Sequence, residues 1–170
     1  MFEPLEVSAS SQERALRYEE VIQHIEALLE GEDDWVAAMA TVACELHHAF
    51  SYYHWTGFYR AVPEGQRMLV LGPYQGGHGC LRIPFERGVC GAAARTQQTQ
   101  LVPDVELFPG HIACSSLTRS EVVVPVVTVE GRLLAVLDVD SNVEAAFTEV
   151  DQAALERLCG ALGRRYVTPV

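Results

Sequence analysis

From Gln12 to Glu30 the apolar residues Leu16, Val21, Ile22, Ile25, Leu28 and Leu29 recur at helical spacing, and Gly31 supplies a stop. Asp33 or Asp34 then caps a second helix running to about Phe50, with Trp35, Val36, Met39, Val42, Ala43 and Leu46 as its stripe. The texture changes at His54. His54 to Ala61 reads as an aromatic strand, Pro63–Glu64–Gly65 as a turn, and Arg67 to Leu71 as the returning strand of a hairpin. Gly72 to Gly79 reads as a flexible loop, Cys80 to Ile83 as a short strand and Val89 to Thr96 as a short helix. A second long loop carries Pro103, Asp104, Pro109 and Gly110 and ends near Thr118. Glu121 to Val129 and Arg132 to Asp140 have high strand propensity and flank a Glu130–Gly131 turn. Thr148 with Asp151 resembles a capping box opening a last helix, Glu149 to about Arg165.

Two helices, then strands joined by tight turns, then one helix predict an α+β fold: a largely antiparallel sheet with helices segregated to one face. The boundaries are a flexible N-terminus over 1–11, a single domain over 12–166 and a short tail over 167–170. The length suits one domain with a sizeable core.

Charge and cysteine usage narrow the function. The net charge of -11, with no basic stripe, argues against a nucleic-acid partner. No apolar run approaches the ~20 residues of a membrane helix, and the first ten residues lack the pattern of a secretory signal, so a cytoplasmic location and no membrane partner are expected. Five cysteines, an odd number, do not suggest a disulfide framework. Cys44 and Cys159 fall beside helical apolar stripes and read as packing. His47 and His48 read as surface or core-edge residues of the second helix.

Cys80, Cys90 and Cys114 lie in or beside the loop-rich centre, where binding and catalytic groups gather, each next to a small residue: Gly79, Gly91 or Ala113. Cys90 sits near a helix N-terminus, whose dipole favours a thiolate, and Cys114 follows His111 by three residues. Three readings are open: inert thiols, a zinc site using His78, Cys80, Cys90, His111 and Cys114, or thiol redox chemistry in which one cysteine resolves the oxidised form of another. The zinc reading lacks a CxxC pair. Side chains at i and i+2 share a strand face. Trp55, Gly57 and Tyr59 therefore line one face of the first strand, with the glycine leaving room for a ligand. Asp138 and Asp140 share a face of the last strand, where partial burial would raise their pKa and let one act as a general acid. Glu121 can join them across the sheet. Each of these rows also has a plain structural reading, as core aromatics or strand-end caps.

The segments HWTGFY, LVLGPYQGGHGCLRIPFERGVCGAAA, LVPDVELFPGHIACSSLTRSEVVVPV and GRLLAVLDVDS together resemble the free methionine-(R)-sulfoxide reductases, which are stand-alone GAF domains. The likeness runs from about Asp34 to Leu158. It implies a GAF-like fold with a loop-covered pocket on the sheet face away from the helices. It implies Cys114 as the attacking thiol, Cys80 as the main resolving thiol and Cys90 as an alternative partner. It assigns Glu121, Asp138 and Asp140 to binding and protonating the substrate, and Trp55 and Tyr59 to boxing its S-methyl group. It also implies no metal or organic cofactor, electrons from thioredoxin and ultimately NADPH, and a homodimer through the terminal helices. Two departures stand out: Ser115 follows Cys114 where an acidic residue is expected, and Arg119 precedes Ser120–Glu121. The QGGHG loop before Cys80 is unusually small. The rival reading is a non-catalytic GAF module that binds a small ligand or senses oxidants.

Overall fold

A computed structural model describes residues 3–62, 66–111 and 115–166. Its elements are α1 (Ser11–Leu28), α2 (Trp35–Ala49), β1 (Trp55–Ala61), β2 (Met68–Gln75), β3 (Arg82–Pro84), α3 (Gly88–Thr96), β4 (Gln100–Val102), a 3-10 turn (Val105–Leu107), β5 (Ser120–Val127), β6 (Leu133–Ser141) and α4 (Glu149–Arg165). The strands form one six-stranded sheet in the order β3-β2-β1-β6-β5-β4. Every pair in it is antiparallel. The expected α+β architecture is therefore the observed one.

Local chemistry sets the helix ends. Ser10 and Glu13 form a capping box at α1, Asp34 accepts from the Ala37 N–H at 2.8 Å to start α2, and Thr148 with Asp151 caps α4 as the sequence suggests. Gly31, at φ +77°, turns the chain out of α1 in a region that favours glycine. Ahead of α1, Leu5 bridges Phe50 and binds the end of α2 through backbone hydrogen bonds to Ala49 and Ser51.

Two cores lie on opposite faces of the sheet. The larger gathers α1, α2 and α4 against Phe58, Val122, Val124, Leu137 and Val139. The smaller contains Trp55, Tyr59, Ile83, Val89, Cys90, Val123 and Val136. The short helix α3 belongs to this second core, so the helices are not all on one face as the sequence suggested. Its small residues Cys90, Gly91, Ala92, Ala93 and Ala94 let it lie close to β5 and β6. A Cβ on Gly91 would meet the Pro84 carbonyl oxygen at 2.7 Å, which fixes glycine there.

Three other expectations need correction. Leu16 and Leu28 are exposed, whereas Val21, Ile22, Ile25 and Leu29 are buried as expected and are joined on the inward face by Arg14 and Tyr18. Arg14 can be buried because its guanidinium pairs with Asp151 at 2.7 Å. The returning strand continues through Gly72, Pro73 and Tyr74 to Gln75, because Tyr74 and Gln75 pair with Gly57 and Thr56 across a register shift. Local glycine and proline do not override that pairing. The three-residue β4, paired with β5, went unread because so short an edge strand has no visible alternation. The Pro63–Glu64–Gly65 turn lies outside the described residues.

Candidate functional site

Register builds the site. Across β1, β6 and β5, Trp55 pairs with Asp140, and Asp140 with Glu121; one pleat further on, Gly57 pairs with Asp138, and Asp138 with Val123. Paired residues point to the same face of a sheet. The two aspartates and Glu121 thus converge on the face that carries Trp55 and Tyr59, while Val139 and Leu137 point into the helix-side core. All five residues line one cavity of about 460 Å³, together with His54, His78, Cys90, His111, Ser115 and Asn142.

The aromatic wall is a stack of three rings. Trp55 lies 5.7 Å from Tyr59 and 5.3 Å from Tyr74, centroid to centroid, with interplanar angles of 21° and 15°. The Trp55 indole donates to the Gly77 carbonyl oxygen at 3.0 Å and so ties the wall to the loop before Cys80. The space above Gly57 is not left for a ligand. A Cβ there would meet Tyr74 Cβ at 2.4 Å and Trp55 Cη2 at 2.7 Å, so the glycine makes room for the rings themselves. A Cβ on Gly79 would meet the Tyr59 hydroxyl oxygen at 2.9 Å, which explains the small loop beside Cys80.

The opposite wall is acidic. Glu121 and Asp138 are buried and Asp140 is half-buried, with no lysine or arginine among the lining residues described. Burial, with mutual repulsion, pushes Glu121 and Asp140 well above the ordinary carboxyl range. Burial pushes Asp138 up to about 7, against hydrogen bonds from Cys90 and Glu121 that hold it down. Asp138 Oδ1 has no hydrogen-bond partner. Such a group is suited to holding a proton near neutrality and giving it to a bound molecule, or to receiving a cationic group from it.

The cysteines separate. Cys44, Cys90 and Cys159 are free thiols, and Cys80 is not among them. Cys159 is buried in the helix-side core as expected, while Cys44 is half-buried beside His48. Cys80 is half-buried and packs against the cavity-side core. Cys114 lies outside the described residues. Cys90 is the third residue of α3, near the helix N-terminus as expected, but its thiol is not activated. Burial and the neighbouring Asp138, Glu121 and Asp140 push it well above the usual thiol range. Three nearby carboxyls outweigh one helix dipole.

The donors of the zinc reading are not brought together among the described residues. The group there with metal-like spacing is instead Cys90, Glu121 and Asp138, whose donor atoms lie within 4.8 Å of one another. Arg119 pairs with Glu106 at 2.9 Å, away from the cavity lining, whereas Ser115 is in the lining and accepts from the Leu117 N–H at 3.2 Å. Asn142 and His54 also line the cavity, and neither was among the site residues expected from the sequence. Asn142 continues the alternation of Asp138 and Asp140. His54 accepts from the Asn142 N–H through Nδ1 at 3.1 Å, and only its place ahead of Trp55 marks it in sequence.

Residues 30–164 match the GAF domain family. The chain belongs to that family. Its resemblance to the free methionine-(R)-sulfoxide reductases is also borne out. It is 38% identical to the free methionine-R-sulfoxide reductase of Saccharomyces cerevisiae, over 89% of each chain. It is 45% identical to GAF domain-containing protein A of Dictyostelium discoideum, over 93% of this chain and 96% of that one. Among solved structures, the free methionine-R-sulfoxide reductase of Neisseria meningitidis in complex with its substrate superposes with a TM-score of 0.85 at 45% identity, covering 97% of this chain and 96% of that one. In this GAF domain the pocket lies opposite the three-helix layer, and its acids come from the central strands. No helix among the described residues is long and apolar enough to cross a membrane.

Proposed function

We propose that this GAF domain is an oxidoreductase that reduces free methionine-(R)-sulfoxide to methionine. The observation that carries the reading is one cavity in which a stacked aromatic wall faces three carboxyls whose affinity for protons is raised. A free sulfoxide amino acid presents three matching features: an S-methyl group for Trp55 and Tyr59, an ammonium for a carboxylate, and a sulfoxide oxygen that needs a proton before the S–O bond breaks. Relatives bearing the reductase name over nearly the whole chain support the substrate.

The cycle we assign has three balanced steps. The Cys114 thiolate attacks the sulfur of the protonated sulfoxide and expels its oxygen as water; a water molecule then cleaves the S–S bond so formed, releasing methionine and leaving Cys114 as sulfenic acid. The Cys80 thiol condenses with it, expelling water and forming a disulfide. A thioredoxin-type dithiol then reduces that disulfide and is itself oxidised, its electrons coming ultimately from NADPH. Cys80 suits the resolving role better than Cys90, since it is only half-buried, whereas Cys90 is buried against three carboxyls that oppose a thiolate. Exposed Leu16 and Leu28 on α1 suit a homodimer through the terminal helices.

The test is NADPH consumption by the purified chain with thioredoxin, thioredoxin reductase and free methionine-(R)-sulfoxide. Stoichiometric consumption is expected, and none from Cys114→Ser. An inactive wild-type chain would sink the reading.

A further inference from the structure

Cys90 is the cavity thiol that the cycle leaves without a task. It is 3% exposed, lines the cavity, and its Sγ lies 3.9 Å from Glu121 Oε1, with the thiol donating. The Cys90, Glu121 and Asp138 donor atoms all lie within 4.8 Å of one another. A thiol is a weak donor that places one proton without adding charge. We propose that Cys90 is a positioning residue rather than a redox thiol: its buried S–H donates into the Glu121–Asp138 pair and fixes how the two carboxyls present themselves to the substrate.

The surroundings of Cys90 leave that hydrogen bond as its available chemistry. α3 packs against β3, β4, β5 and β6. From β5 it meets Glu121, and from β6 Asp138 and Asp140. β3 and β4 contribute apolar Ile83 and Val102 to the same core. Tyr59 of β1 and His54, His78 and His111 are the other titratable groups among the described lining residues. No lysine or arginine among the described lining residues could stabilise a thiolate there. By contrast, a hydrogen bond donated to a carboxylate stabilises its charged form, and both Glu121 and Asp138 are held down in this way by Cys90. One small donor, shared between two acids whose atoms lie within its reach, therefore offsets part of their burial penalty.

This role rests on the proposed function for its meaning, but its first test does not need turnover. Carboxyl carbon NMR titrations of Glu121 and Asp138 are to be recorded in the full chain, in Cys90→Ser, in Cys90→Ala and in Cys90→Val, the last filling the space without a donor. Losing the donor should move the pair's titration to higher pH in Cys90→Ala and Cys90→Val, and Cys90→Ser should restore it. In the coupled assay, kcat should fall about tenfold in the two apolar variants, less than the roughly 100-fold or more that loss of a proton-transfer group itself costs, and recover in Cys90→Ser. Disulfide mapping after one equivalent of substrate should find Cys90 as a free thiol. Unmoved titrations in both apolar variants, or Cys90 recovered in a disulfide, would overturn the proposal. An inactive wild-type chain with the titration shift present would overturn only the reading of the substrate.

Discussion

Asp151 and Asp138 are both buried aspartates, one in the helix layer and one on the cavity face of the sheet. Asp151 is saturated. Arg14 pairs with its Oδ2 at 2.7 Å, Tyr18 and Tyr52 donate to its Oδ1 at 2.8 and 2.7 Å, and the Thr148 backbone and hydroxyl cap it at 2.7 Å each. Asp138 has no cation beside it and one oxygen with no hydrogen-bond partner. The difference teaches how to tell a structural acid from a functional one. A buried carboxylate whose lone pairs are all satisfied by its own chain has nothing left to offer a ligand. One held at about 7 with an orphaned oxygen is unfinished without a proton or a partner.

Substitution at either aspartate tests the contrast. The largest effect is expected from Asp151→Asn, which strands the Arg14 guanidinium in the core. Removing one partner of a buried ion pair costs on the order of 3–5 kcal/mol, so denaturant unfolding should show a chain near the limit of folding. Asp138→Asn should do the opposite to stability while harming chemistry. Loss of a proton-transfer group should lower kcat by roughly 100-fold or more, and the thermal midpoint at pH 7.5 should rise by a few degrees. An Asp138→Asn protein that is both destabilised and active would collapse the distinction.

Between the ordinary aspartate value near 4 and about 7, folded Asp138 keeps a proton that the unfolded chain releases. Stability should therefore fall as pH rises through that window, and Glu121 and Asp140, also raised, extend the fall upward. Thermal melts from pH 4.5 to 8 should slope downward in the wild type and less steeply in Asp138→Asn. The smallest effect is expected from Cys44→Ser, at a half-buried position away from both acids. Its unfolding midpoint and turnover should stay within about 0.5 kcal/mol and twofold of wild type, as ordinary for such sites.

Much of this arrangement was visible in the sequence, and the failures share a cause. The capping residues Asp34 and Thr148, the β5–β6 hairpin, and the alternation of Asp138 with Asp140 are local signals, and they held. Readings that depended on a distant partner went astray. Arg14 was absent from the predicted stripe of α1, because its partner Asp151 lies far along the chain. Gly72–Pro73 looked like a loop because the pairing of Tyr74 with Gly57 is tertiary. Gly57 looked like space for a ligand until Trp55 folded over it. Cys90 looked activated because a helix terminus can be read from sequence, whereas three carboxyls arriving from two other strands cannot. The site acids themselves were legible as two strand faces, and only the register of β5 on β6 showed that Glu121 stands directly beside Asp140.

That register also bears on folding fidelity. Side chains alternate with a period of two, so slipping β6 by a single residue against β1 and β5 would exchange its faces. Asp138 and Asp140 would then enter the apolar layer beneath α2 and α4, and Leu137 and Val139 would turn into the open cavity. Two carboxyls there would be buried among apolar side chains without partners, at a cost in free energy. The same acids that await a ligand in the finished molecule thus act during folding as a proofreader, rejecting the misaligned sheet before the pocket exists.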